Sequence, residues 1–153
     1  MRVLKRCACI FVSLLMVLSV TACSAKSPVD AAAFKTVTEK YKLTNTDQTA
    51  NNASVKSYVS AQDTAGTTAI QFIAYDSATG ATELYNNFKQ QIDSAKPKYA
   101  QTSSIDTAAY NKYTLEVGEI YEVVVRMEQT IVYAKCDTKD KATVDNVLKG
   151  IKY

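Results

Sequence analysis

Residues 30–153 read as one α+β domain: a two-layer sandwich in which an antiparallel sheet of about five strands carries helices on one face. Three observations predict this. Apolar residues recur at helical spacing in three separated segments. Between them lie runs in which apolar and polar residues alternate as they do in half-buried strands. The links between consecutive strands are too short for anything but antiparallel pairing. The resulting order is α-β-β-α-β-β-β-α, and single-striped helices are expected to cover one side of the sheet.

Asp30 is a good N-cap for a helix over 31–43, where Phe34, Val37 and Tyr41 share a face. The polar stretch 44–52, with four Asn or Asp side chains, reads as a loop. A strand follows at 55–61. Asp63 and Gly66 turn the chain, and a second strand runs over 68–75. Ile70, Phe72, Ile73 and Tyr75 put apolar groups on both faces of that strand, as in the middle of a sheet. Asp76 or Ser77 caps the longest helix, striped by Ala81, Leu84, Tyr85, Phe88, Ile92 and Ala95. Pro97 ends it, because the residue before proline avoids the helical region. Residues 98–107 read as another polar loop. Strands at 109–117, 120–127 and 130–136 follow, joined by the pairs Gly118-Glu119 and Glu128-Gln129. Asp137 or Thr138 caps a last helix buried through Val144, Val147, Leu148 and Ile151.

The first 22 residues belong to none of this. Arg2, Lys5 and Arg6 precede an apolar run that closes on Val20-Thr21-Ala22-Cys23. A basic start, a short apolar middle and small residues before a cleavage point make a secretory signal. The run contains Ser13, Ser19 and Thr21 and falls short of the roughly 20 apolar residues that span a bilayer. With cysteine directly after the small residues, the stretch resembles the lipobox of bacterial lipoproteins. The resemblance implies that residues 1–22 are removed, that Cys23 takes a diacylglyceryl thioether, and that 23–29 form a brief tether. The domain would then lie at the cell membrane on its extracytoplasmic side. The mature domain is similar in layout to small uncharacterised lipoproteins of monoderm bacteria, a likeness that implies no activity.

Charge and cysteine counts change once the signal is set aside. Of the 18 basic residues, Arg2, Lys5 and Arg6 leave with it, so 15 remain against 15 acids and the mature charge is zero. No net field draws nucleic acid. Of the four cysteines only Cys136 is neither in the signal nor at the acylation point, and its place at the end of an apolar strand suits a small buried group. Histidine is absent, which removes Ser-His-Asp and Cys-His catalysis and the commonest zinc sets. No phosphate-binding glycine loop is present, and no metal or other cofactor is expected. Glu116, Glu119, Glu122 and Glu128 are the carboxylates an acid/base pair would draw on, although alternation and turns make them outer-face charges.

Two function classes follow. The first is a binding or interaction module for an envelope protein, peptide or glycan. The second is an enzyme of the envelope built on carboxylates or on the Cys136 thiol. The lack of any compact polar motif favours the first. Its expected binding face is the uncovered side of the sheet, carrying Lys56, Tyr58, Lys112, Thr114, Glu122, Val124 and Arg126. Ten tyrosines and no tryptophan suit such a surface or a tyrosine-rich core. On the surface reading, alanine at Tyr58 and Arg126 leaves the thermal transition nearly unchanged.

Overall fold

A computed structural model describes residues 27–153. The signal peptide, Cys23 and the first part of the tether lie outside the described residues. Helix α1 (Ala31–Lys40) starts where Asp30 Oδ1 accepts the Ala33 N–H at 2.8 Å. The chain then forms β1 (Thr44–Asp47), β2 (Ser57–Gln62), β3 (Thr68–Ala74), α2 (Ala78–Ala95), β4 (Gln101–Asp106), β5 (Tyr110–Val117), β6 (Ile120–Met127), β7 (Thr130–Asp137) and α3 (Lys141–Gly150). Ser77 caps α2, and Lys96 leaves the helix in an extended conformation ahead of Pro97.

All seven strands join one antiparallel sheet in the order β1-β2-β3-β7-β6-β5-β4. The β2–β3 hairpin, the three-strand run β5–β6–β7 and the three helices fall where the sequence places them, with two exceptions at helix ends. α1 stops at Lys40 rather than 43. α3 follows a 3-10 turn (Thr138–Asp140) with no side-chain cap from Asp137 or Thr138, the Thr138 hydroxyl donating instead to the Gly118 carbonyl. Two strands depart from the sequence expectation. β1 and β4 occupy stretches expected to be loops, and they form the two edges of the sheet. All six residues of β4 are exposed, so no buried face imposes the alternation by which strands are recognised.

The layering is also different. The β3–α2–β4 connection carries the chain across β7, β6 and β5, which places α2 on one face of the sheet. α1 and α3 pack together on the other. There are therefore three layers and two cores. The α1/α3 core contains Phe34, Val59, Ile70, Phe72, Val123 and Val144, with the Phe34 and Phe72 rings stacked at 5.4 Å. The α2 core contains Ile73, Ala81, Tyr85, Ile92, Leu115 and Val124, with Phe88 stacked on Tyr133 at 4.5 Å. Both cores close within residues 29–153. Gly150 allows α3 to meet α1, since a Cβ there would lie 2.7 Å from Val37 Cγ1.

The β5–β6 hairpin explains why a single covered face was expected. Its two-residue turn pairs Val117 with Ile120, so odd positions of β5 share a face with even positions of β6. Tyr113 and Leu115 thus lie beside Val124 under α2, whereas Val123 and Val125 face α1 and α3. Each strand read alone has one apolar side, and the register puts those sides on opposite faces.

Candidate functional site

The seven residues expected on an open sheet face do not form one. Val124 is fully buried, Arg126 is 4% exposed, and Tyr58 packs against the α2 core. Glu122 shares their face, where its carboxylate pairs with Lys135 Nζ at 2.7 Å and accepts the Tyr133 hydroxyl at 3.2 Å. Lys112 and Thr114 point the other way, opposite Val125 and Val123. Lys56 is exposed just ahead of β2. The expected binding face is therefore corrected: Tyr58, Glu122, Val124 and Arg126 lie on the side that α2 covers, Lys112 and Thr114 lie on the side of α1 and α3, and Lys56 precedes the sheet.

Lys112 and Thr114 instead contribute to a groove of about 1400 Å³. It exists because the strands β5 and β4 extend the sheet past α3, leaving their inner face without a helix above it. Gln101 and Ser103 of β4, Lys112, Thr114 and Glu116 of β5, and Tyr121 of β6 line the floor. Lys141, Asp145, Lys149 and Lys152, on α3 and just beyond it, form the wall. Ser27, Pro28 and Val29, where the chain enters the domain, close one end together with Tyr153.

One corner of the groove is a fixed polar cluster. The Tyr121 hydroxyl donates to Asp145 Oδ1 at 3.1 Å, and Lys141 Nζ reaches Asp145 Oδ2 at 2.9 Å. That ammonium also sits 4.9 Å from the centre of the Tyr121 ring. Burial, then the Asp145 charge, raises the Tyr121 phenol above its ordinary range, and the bond to Asp145 raises Lys141. At neutral pH the phenol is a neutral donor and the lysine a cation, each held by one carboxylate. The cluster braces α3 against the sheet.

The groups proposed for catalysis are not assembled here. Glu116 lies in the groove, Glu122 on the opposite face, and Glu119 and Glu128 are exposed at the two hairpin turns. Cys136 is buried and its thiol is pushed up to about 11, chiefly by burial and then by Asp140 and Asp137. A thiol in that state carries almost no thiolate at neutral pH. Among the described residues no three Cys, Asp or Glu side chains come together as metal ligands would. No described helix is long and apolar enough to cross a membrane.

The groove could have been sought in the sequence through one signal. Lys141, Asp145, Lys149 and Lys152 recur at steps of four, four and three, a charged stripe beside the buried Val144, Val147, Leu148 and Ile151. Its other wall depends on β4, which has no periodic signature. No family model matches the chain, and no curated protein or solved structure does either.

Proposed function

We propose that this protein is a membrane-anchored extracytoplasmic binding module, tethered through Cys23, that recognises an extended segment of an envelope protein or peptide along strand β4. The observation that supports this most is the state of that edge. β4 ends the sheet, all six of its residues are exposed, and its pairing with β5 is continuous from Gln101 to Asp106 without a bulge. Sheets usually blunt such an edge with lysine, proline, a bulge or a covering loop, because its free backbone groups invite pairing with another chain. The sequence Gln-Thr-Ser-Ser-Ile-Asp has neither lysine nor proline. The opposite edge, β1, is only four residues long, and Lys35 crosses to Asp47 on it at 2.9 Å.

A strand added to β4 would gain affinity from backbone hydrogen bonds and specificity from alternate side chains. Those on one side would enter the groove beside Ser103 and Ile105, the latter 50% exposed. Nothing in this scheme needs a nucleophile or a general base.

A photo-crosslinking residue at Ser104 in intact cells should give a discrete adduct, while the same residue at Asn86 on the outer side of α2 should give none. Thr102→Pro, at an exposed β4 position whose N–H points away from β5, should abolish the adduct and leave the thermal transition within a few degrees. Equal adducts from Ser104 and Asn86, or none from β4, would remove the support for edge recognition.

A further inference from the structure

We propose that the groove faces the bilayer and that its lysines bind the headgroups of anionic phospholipids. The orientation rests on the proposed anchoring at Cys23, and the charge argument does not. Four peptide units separate Cys23 from Ser27, a reach of at most about 14 Å. A domain of this size is roughly 35 Å across. The surface at which the chain enters must therefore turn toward the membrane, and Ser27, Pro28 and Val29 line the groove itself.

The charge at that surface is unlike that of the whole domain. The mature chain is neutral, yet the groove is lined by Lys112, Lys141, Lys149 and Lys152 against only Glu116 and Asp145. Asp145 is committed to Lys141 and Tyr121. Lys149 and Lys152 are exposed and form no ion pair among the described residues. A lysine near an anionic bilayer contributes about a fivefold gain in partition, and the effect dies within roughly one Debye length, about 8 Å at physiological salt. The short tether holds these lysines where that field operates. A domain on a long linker would spend its time outside it. β4 would then lie along the membrane surface, its edge open to a partner that is also membrane-bound.

The test uses residues 23–153 made without acylation, a chain that contains every residue of both cores. Partition is measured onto vesicles of phosphatidylcholine alone and of an equal mixture with phosphatidylglycerol. Binding should appear on the mixed vesicles only and weaken as salt is raised. Lys149→Gln with Lys152→Gln should reduce it on the order of 25-fold, about fivefold per lysine, with the thermal transition unchanged. Equal partition onto both vesicles, no partition onto either, or no loss in the double variant would overturn the proposal. So would displacement by inorganic phosphate beyond chloride at equal ionic strength, which would mark a free-phosphate site. Preference for polyglutamate over the mixed vesicles would mark an acidic-peptide site and overturn it equally. Because this chain carries no lipid, a negative result leaves the anchoring at Cys23 standing, and failure of anchoring leaves this result standing.

Discussion

Arg126→Ala should destabilise the domain by about 3 kcal/mol, the upper part of the range for single substitutions. Arg126 is 4% exposed. Its Nε donates to Asn111 Oδ1 at 2.6 Å, Nη1 to the Glu128 carbonyl at 3.0 Å and Nη2 to the Ala108 carbonyl at 2.7 Å. One guanidinium thus fastens β5, the residues before it, and the β6–β7 turn. That turn needs fastening, because Glu128 sits at φ 50°, a conformation that costs a non-glycine residue on the order of 1 kcal/mol. Alanine would strand three acceptors and leave a void. Lysine would restore little, since an ammonium lacks the planar fork that reaches all three acceptors. Urea unfolding should show the midpoint falling with the slope unchanged, and the thermal midpoint should drop by roughly 10 °C. A loss below about 1 kcal/mol would mean that the network contributes little.

That residue also shows how far the sequence could be read. Strands β5 and β6 were legible from their alternation and β7 from its apolar run, and so were the helical stripes, the cap at Asp30, the α2 cap as either Asp76 or Ser77, and the burial of Cys136. The face that Arg126 occupies was not. It depends on the parity set by a two-residue turn, and grouping the charged and polar positions of both strands together placed Lys112 with Arg126. A polar residue that alternates with apolar ones can be solvated or can be an anchor inside a second core, and local pattern does not separate the two. Tyr41 went the opposite way: its helical spacing suits a core position, yet it follows α1 and is 38% exposed. The groove was illegible for a different reason. It joins α3 to β4, elements that meet only through the sheet order, and β4 has no buried face to mark it.

Alkali should unfold the protein in a single step that begins above about pH 9. Burial raises the phenols of Tyr85, Tyr121 and Tyr133 above their ordinary range, pushes Tyr153 up to about 12, and pushes the Cys136 thiol up to about 11. Each folded-state value lies above the unfolded one, near 10 for tyrosine and 9 for cysteine. The stability from each group is therefore complete below its unfolded value and is lost as pH climbs through the folded value. Each group therefore ties a part of the domain's modest stability to its staying protonated. Tyrosinate absorbance should rise together with the loss of far-ultraviolet circular dichroism. No step should appear between about pH 5 and 8, since the chain has no histidine. Tyrosines titrating one by one in a chain that stays folded past about pH 12 would contradict the burial described for them.

Anchoring at Cys23 is the premise of the functional proposal, and acyl labelling tests it most directly. Cells expressing the chain are fed labelled palmitate, and the protein is followed through membrane and soluble fractions. With Cys23 intact, a labelled band of mature size should sit in the membrane fraction. Cys23→Ala should lose the label completely and either leave the membrane or remain as uncut precursor. A variant that still takes up label, or an unlabelled one that keeps both mature size and membrane association, would contradict the anchored module.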